Sequence, residues 1–244
     1  MRLDKYLAEM GAGTRSEVKK LVRAGRVTIN GAVAEKPEQK VDPETDTVCL
    51  DGEALLYAAY EYYLFHKPAG CVSATEDKIH KTVMDYLTDT LRDDLFPVGR
   101  LDIDTEGLLL ITNDGTLAHE LLSPAHHVKK TYYARVAGRV TEEDARLFQQ
   151  GVDIGEEKLT KPAELVILTS GEESEIELTI TEGKFHQVKR MFQAVGKEVV
   201  YLKRLSMGPL TLPETLLPGE YRALTQEELM LLQKETGNKE MSRK

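Results

Sequence analysis

The chain has 244 residues, and its 32 Lys and Arg against 41 Asp and Glu give a formal net charge of −9. With 41% apolar and 30% charged residues it can bury a core, and its length suits one large domain or two smaller ones. Two cysteines, Cys49 and Cys71, exclude a disulfide framework, and neither has metal-ligand spacing around it. Because the N-terminus has no signal-peptide pattern and no apolar run reaches membrane-spanning length, we expect a cytoplasmic protein without a membrane partner.

The acidic total hides three basic segments. Residues 1–26, 125–139 and 182–204 each carry a local charge of +4, and in the first of them seven cations stand against three anions. Phosphate groups are felt only within about a Debye length, ~8–10 Å, so local clusters decide polyanion binding and the net charge does not. Each cluster is equally compatible with an ordinary solvated surface.

Two short helices are the first predicted elements. Apolar residues at i, i+3, i+4 and i+7 begin at Leu3 and predict a helix that ends near Met10. Residues 14–17, Thr-Arg-Ser-Glu, form a capping box that starts a second helix, and Gly25 suits its C-terminal end. At ~100° per residue, four cations share a sector of roughly 80°: Arg15, Lys19, Arg23 and Arg26. Such a stripe is suited to phosphate contacts.

A small sheet is predicted next. Residues 27–33 contain Asn30-Gly31, a strong type I′ hairpin signal, and residues 47–50 predict another strand. The segments 2–7, 14–17 and 25–31 together resemble the αL RNA-binding motif, a module of one small-subunit ribosomal protein and several RNA-modifying enzymes. The resemblance implies that residues 1–57 bind structured RNA. We assign the RNA contacts to Arg2, Lys5, Arg15, Lys19, Lys20, Arg23 and Arg26.

A larger domain is predicted over residues 61–235, after a short connection at 54–60. Strand-like stretches alternate with helical ones, and the whole predicts an α+β fold with a mostly antiparallel mixed sheet. The strands are predicted at 62–65, 108–111, 131–136, 163–168, 175–181 and 198–205, and the helices at 116–122, 142–150, 186–195 and from 225 on. Residues 236–244 form a polar tail that we expect to fray.

Three carboxylates crowd a turn just before a predicted buried strand. Asp102, Asp104 and Glu106 directly precede the apolar run at 108–111. Carboxylates at the end of a buried strand are costly unless they are paired or used. From the spacing alone they are either solvated turn residues or the acids of an active site.

Four segments resemble motifs of the RNA pseudouridine synthases, in the order that the family has them. Residues 99–115 resemble the central Gly-Arg-Leu-Asp-x-Asp-Thr-x-Gly-Leu motif, and 66–70 resemble the Lys-Pro-x-Gly segment. Residues 130–132 resemble the Lys-x-Tyr strand and 182–192 the third motif. The pattern is closest to the RsuA/RluB family and, through residues 123–127, to its RsuA branch, which acts on small-subunit rRNA.

The resemblance implies isomerisation of uridine to pseudouridine, and we expect one uridine of the small-subunit (16S) rRNA as its target. The reaction breaks the N-glycosidic bond, turns the uracil and joins C5 to C1′, so no cofactor and no metal are implied. By resemblance Asp102 is the essential aspartate, Tyr132 packs on the uracil, and Lys189 is the basic partner of the aspartate, where many relatives carry arginine. Arg100 occupies the position from which family members insert a side chain where the flipped base had been, and a simple phosphate contact is the equal alternative for it. Further RNA contacts are assigned to Lys130 and Arg190.

Three alternatives stay open at this point. The chain could be a large-subunit rRNA pseudouridine synthase, or a non-catalytic RNA-binding ribosome-assembly factor on the same scaffold. A glycosidase acid/base pair within Asp102, Asp104 and Glu106 is the third, but it leaves the cation stripe without a purpose. The expected partner is ribosomal RNA, naked or in a partly assembled small subunit, bound by a monomer. We expect four histidines to pack, cap or touch RNA: His66, His126, His127 and His186.

Overall fold

The computed structural model of the protein describes residues 1–123 and 125–236, so the predicted tail lies outside the described residues except for Thr236. The chain divides into two units, residues 1–61 with 87–95, and residues 62–86 with those from 96 on. Residues 87–95 cluster with the first unit, although no sequence pattern assigned them there, and the domain bounds 1–57 and 61–235 stay a prediction. Among the described helices, none combines the length and apolar composition that crossing a membrane requires.

The first unit packs two helices against a four-stranded antiparallel sheet. Its elements, in chain order, are α1 (Leu3–Glu9), α2 (Arg15–Arg23), β1 (Val27–Ile29), β2 (Ala32–Val33), β3 (Val48–Leu50) and β4 (Glu53–Leu55). Within the sheet the strands lie in the order β2-β1-β3-β4. The predicted capping box is present, since the Thr14 backbone N–H donates to the Glu17 carboxylate at 2.8 Å. Asn30 and Gly31, with φ of 51° and 83°, form the predicted hairpin turn. Strand β4 was not predicted because its residues were interpreted as the connection between domains.

Arg26 does not lie on α2, which corrects the predicted stripe of four cations. The helix ends at Arg23, and Gly25 has a φ of 70°, so the chain turns out of the helical path before Arg26. The guanidinium of Arg26 pairs instead with the carboxylate of Asp51. The glycine that was predicted to end the helix also ends the helical spacing of the cations.

The second unit is built on a nine-stranded mixed sheet. Its strands are β5 (Tyr62–Lys67), β6 (Phe96–Pro97), β7 (Glu106–Thr112), β8 (Lys130–Ala137), β9 (Glu164–Thr169), β10 (Glu173–Ile180), β11 (Glu198–Met207), β12 (Leu210–Thr211) and β13 (Tyr221–Ala223). The order is β13-β5-β7-β11-β8-β10-β9, with β12 beside β11 and β6 beside β7. Among the described strands, β7 and β11 make the one parallel pair. The prediction of an α+β fold with a mostly antiparallel sheet is confirmed.

The helices of the second unit cover two apolar clusters. They are α3 (Gly115–Leu122), α4 (Glu142–Gln150), α5 (Gln187–Ala194) and α6 (Gln226–Glu235). Helix α5 buries Val188, Met191 and Phe192, and Phe192 meets Phe148 of α4 edge-on at 5.0 Å between ring centroids. Because these side chains face the core, Lys189 lies off the apolar face, as the sequence spacing predicts.

Strands β7 and β11 approach each other very closely at Gly107. This residue has a φ of 109°, and a Cβ there would lie 2.3 Å from the carbonyl oxygen of Arg204 and 2.5 Å from its nitrogen. No side chain larger than hydrogen fits this gap. The glycine therefore permits the parallel pairing that brings the start of β7 beside β11.

Candidate active site

The turn before β7 forms the centre of the candidate site. It is closed by the Thr105 N–H, which donates to the Asp102 carbonyl at 3.0 Å. From α5, the Nζ of Lys189 donates to Asp104 at 2.6 Å and lies 3.2 Å from the Asp102 carboxylate. The structure thus brings Lys189 to Asp102, as the resemblance implies, but the shorter of its two contacts goes to Asp104.

These ion pairs determine the charge of the site. Burial by itself would raise the pKa of Asp104, but the hydrogen bond and charge of Lys189 outweigh it, and the pKa is lowered. Burial would likewise lower the pKa of Lys189, but the bond to Asp104 and the charge of Asp102 raise it. At neutral pH both groups are therefore ionised, and a fixed positive charge lies beside the Asp102 carboxylate.

Asp102 opens on a pocket of about 90 Å³ in the second unit. Its wall includes Arg100, Asp102, Thr105, Tyr132, Ile180, Lys184, His186, Lys189 and Leu202. Tyr132 lies on β8 and is 8% exposed, so its ring forms part of the wall rather than of the outer surface. Arg100 is exposed and makes no ion pair with the described residues. A carboxylate, a cation and an aromatic ring thus converge on one small opening.

His186 belongs to this site, although the sequence analysis gave it no specific role. Its Nε2 lies 3.5 Å from the Asp102 carboxylate, and its backbone is left-handed with a φ of 47°. Its left-handed backbone, just before the first residue of α5, places it outside the helical spacing of that element, so no periodic signal in the sequence could locate it. His66, in contrast, packs as expected: it is 3% exposed, and its Nδ1 lies 2.7 Å from the carbonyl of Leu216.

A buried lysine and a serine hold the backbone on both sides of Asp102. Lys67, at the end of β5, is fully buried, and its Nζ donates to the carbonyls of Thr105 at 2.8 Å and Ile103 at 3.4 Å. Burial lowers the pKa of this amine, and the surrounding carboxylates oppose that shift. Ser73 receives the Leu101 N–H at 3.0 Å and donates to the Leu101 carbonyl at 3.1 Å. The position of Asp102 is therefore fixed by residues that never touch its carboxylate.

Glu106 serves the structure rather than the chemistry of the loop. Its carboxylate accepts the hydroxyl of Tyr201 at 2.7 Å, and burial together with this bond raises the pKa of Tyr201. A glycosidase needs one carboxyl group that stays protonated, with a raised pKa. Asp104 shows the opposite shift, because Lys189 lowers its pKa. Asp104 therefore does not suit the role of the protonated acid that the glycosidase alternative requires.

Two of the predicted RNA-contacting cations are engaged within the protein. Lys130 is 8% exposed, and burial with the nearby charge of Arg204 lowers its pKa to about 8. Arg190 donates to the Glu156 carboxylate at 2.8 Å and to the main-chain carbonyl of Ile154. A buried amine and a guanidinium already held by acceptors of the protein are poor phosphate ligands, so neither is retained among the proposed RNA contacts.

We expect the free energy of unfolding to rise with pH between about 8 and 10.5 because of Lys130. Its pKa falls from 10.5 to about 8 on folding, so in this window the unfolded chain binds a proton that the folded chain does not. The free energy of unfolding gains at most about 3 kcal/mol in this way, and the gain is complete once the pH exceeds the pKa that Lys130 has in the unfolded chain. Urea unfolding of the wild type and Lys130→Met across this window measures it, and stability curves that run parallel would contradict it.

The predicted RNA-contacting cations of the first unit fall into two groups, those paired within the protein, which include Arg26, and those on α2. Arg2 pairs with Asp4 at 2.7 Å, and Lys5 lies 3.5 Å from Glu9. The cations on α2 are Arg15, Lys19, Lys20 and Arg23, and none of them makes an ion pair with a described residue. Lys19 is half-buried and the other three are exposed. Of the cations predicted to contact RNA in this unit, those of helix α2 are therefore the ones available to an external phosphate.

Another pocket of the second unit, about 440 Å³, contains none of this chemistry. It lies between α4 and β9 and includes Glu142, Arg146, Gln149 and Leu165, but no residue of the Asp102 loop. Within the described ranges, no cluster of three or more His, Cys, Asp or Glu side chains is placed to hold a metal ion. The small pocket beside Asp102 is accordingly the candidate active site.

Known proteins of similar sequence identify the family of this chain. A family model described as RNA pseudouridylate synthase matches residues 61–194, and an S4 domain model matches residues 1–48. An uncharacterized RNA pseudouridine synthase of Bacillus subtilis, YtzG, is 53% identical over 95% of this chain and 98% of its own. The ribosomal small subunit pseudouridine synthase A of Escherichia coli K12 is 43% identical over 94% of this chain and 98% of its own.

A solved structure is similar along the same length. The crystal structure of a pseudouridylate synthase is 40% identical, with a TM-score of 0.67 over 95% of this chain and 99% of that one. The resemblance stated from the four sequence segments and the N-terminal module is thus confirmed. The chain belongs to the RNA pseudouridine synthase family and carries an S4 domain at its N-terminus.

Proposed function

We propose that this enzyme isomerises one uridine of small-subunit (16S) rRNA to pseudouridine, with Asp102 as the essential carboxylate. The observation that carries the proposal is the pocket in which the Asp102 carboxylate lies 3.2 Å from Lys189 and shares a wall with Tyr132. The relatives named ribosomal small subunit pseudouridine synthase A support the choice of RNA, since they match over 94% of this chain at 43–44% identity. The protein acts as a cytoplasmic monomer in this proposal.

Each side chain of the pocket has a physical task in the reaction. Lys189 places its positive charge 3.2 Å from the Asp102 carboxylate, so it balances the negative charge of this group in the pocket and holds it in place. Tyr132 offers a flat surface to the uracil after its N1–C1′ bond breaks, and stacking worth ~1–3 kcal/mol holds the base while it turns. The C5–C1′ bond then forms, C5 loses its proton and N1 gains one. Every atom and electron of the nucleotide is conserved, so the isomerisation requires no redox cofactor.

Arg100 supports the extrusion of the target nucleotide. Taking a base out of its stack costs a few kcal/mol, and a side chain that fills the vacated space offsets part of that cost. Arg100 precedes Asp102 by two residues, lies at the wall of the pocket and is exposed. With no ion pair to the described residues, its guanidinium is available to stack on or hydrogen-bond with the RNA.

Removing cations from α2 should weaken the salt dependence of RNA binding. We expect the double variant Arg15→Gln, Arg23→Gln to flatten the slope of log K against log salt concentration by roughly 0.7–0.9 per lost phosphate contact. Filter binding over a range of salt concentrations measures the slope. Arg146→Gln is the matched control, because Arg146 is an exposed cation of the second unit that pairs with Glu143 at 2.8 Å. An unchanged slope in the double variant would show that α2 faces solvent in the complex.

The target is tested by mapping the product. The protein is incubated with small-subunit and large-subunit rRNA, each naked and in partly assembled subunits, and pseudouridine is mapped at nucleotide resolution. We expect a single new pseudouridine, in the small-subunit RNA. A single site in the large-subunit RNA would support the large-subunit alternative, and binding without any modification would support a ribosome-assembly factor.

A further inference from the structure

An exposed aromatic pair extends from the wall of the pocket into solvent. The rings of Phe185 and His186 stack in parallel, with centroids 3.8 Å apart and an interplanar angle of 19°. His186 lines the pocket and lies 3.5 Å from the Asp102 carboxylate, whereas Phe185 is 68% exposed. Isolated exposed apolar side chains are common, but this one continues a flat surface that begins at the candidate catalytic group.

The turn that presents Phe185 is rigidly built. The buried Gln187 accepts the Lys184 N–H at 2.9 Å and donates to the Glu182 carboxylate at 2.9 Å. Arg190 donates to the Phe185 carbonyl at 3.0 Å. Two of these three bonds hold backbone atoms of the turn, so the backbone that carries Phe185 is positioned in advance, which lowers the entropy lost when the ring binds a partner.

The surroundings favour a nucleobase as that partner. The wall of the pocket also includes the cations Arg100 and Lys184, neither of which forms an ion pair with a described residue, and such cations attract a phosphate backbone. When one uridine leaves its stack to enter the pocket, each neighbouring base loses a stacking partner. An aromatic ring beside the pocket mouth can cover one of these bare faces, as in other single-stranded nucleic-acid sites.

We propose that Phe185, supported by His186, stacks on a nucleobase adjacent to the target uridine. This inference rests on the proposed function and adds to it a contact that positions the RNA. Because the contact lies outside the reacting atoms, it is made equally before and during the chemical step. Its loss raises KM and leaves kcat nearly unchanged.

The first test observes the contact directly. The chain contains no tryptophan, so Phe185→Trp introduces a single indole fluorophore. Titration with an RNA fragment that contains the target uridine should quench this emission as the base stacks on the indole. Leu168→Trp is the control, since Leu168 is 47% exposed on β9 and does not line the pocket. Equal quenching in both variants, or none in Phe185→Trp, would overturn the proposal.

The second test removes the ring. Phe185→Ala should raise KM by about 5- to 150-fold, the range expected for one stacked base, and Phe185→Tyr should restore it. An abasic nucleotide placed in turn on each side of the target should weaken binding to the wild type at one of these positions. Phe185→Ala, which lacks the ring, should bind this abasic RNA as tightly as it binds the intact RNA. Additive losses, or a wild-type KM in Phe185→Ala, would overturn the proposal.

Failure of this inference differs from failure of the proposed function. If the wild-type protein modifies no rRNA, the proposed function fails, while the fluorescence titration with each rRNA still shows whether a base meets residue 185. If the wild type is active and Phe185→Ala is its equal in KM, only the stacking contact fails. Thermal unfolding of each variant confirms that a substitution at this exposed position leaves the fold intact.

Discussion

Asp102→Asn is expected to lose pseudouridine formation and to retain RNA binding. Asparagine keeps the size of the side chain but cannot supply a carboxylate as nucleophile or base, so the rate should fall by at least roughly 10²–10⁴-fold. The Asp102 side chain is 25% exposed, and among the described residues its carboxylate meets the side chains of Lys189 and His186, so the backbone of the loop does not depend on it. Nucleotide-resolution mapping measures the activity, and filter binding measures the affinity.

Asp104→Asn is the matched control for this prediction. Asp104 is 66% exposed and takes the shorter bond from Lys189, at 2.6 Å. When its charge is removed, Lys189 can pair fully with Asp102, so we expect activity to persist in Asp104→Asn. If Asp102→Asn matched the wild type in every assay, the non-catalytic alternative would be correct. If Asp104→Asn were the inactive variant, the essential carboxylate would have been assigned to the wrong aspartate.

The elements of the fold follow from signals that lie within a few residues of one another. The capping box at Thr14, the hairpin turn at Asn30 and Gly31, and the alternation along β10 each involve neighbours whose interactions do not depend on the rest of the chain. The apolar stripe of α5 also predicted that Lys189 lies off the core face. Local periodicity was therefore sufficient for element type and for which side of an element faces the core.

The assembly of the site depends on contacts that no local pattern contains. Asp104 and Lys189 are separated by 85 positions and meet only because the loop before β7 is brought to the start of α5. The left-handed turn at His186 placed a ring beside Asp102 that helical spacing alone would not locate. The pKa of Lys130 is lowered by burial and by the charge of Arg204, whose strand is adjacent to β8 in the sheet but distant in sequence. For these residues the family motifs indicated importance but not geometry.

Gly107→Ala is expected to destabilise the second unit by at least about 3 kcal/mol, or to prevent its folding. The new Cβ would lie 2.3 Å and 2.5 Å from backbone atoms of Arg204, and a backbone cannot rotate away as the end of a side chain can. The φ of 109° adds strain for any residue with a Cβ. Relief requires β7 and β11 to separate, which would also displace the loop that carries Asp102. Urea unfolding measures the loss of stability.

Gly115→Ala separates this steric effect from the general effect of replacing glycine. Gly115 is the first residue of α3, where a Cβ meets nothing within 4 Å and the backbone does not have a positive φ. Alanine is also the better helix former, so we expect this variant to be as stable as the wild type or up to about 1 kcal/mol more stable. A wild-type unfolding midpoint for Gly107→Ala would show that β11 can move aside at little cost. In that case the parallel pairing would not be what holds the Asp102 loop in place.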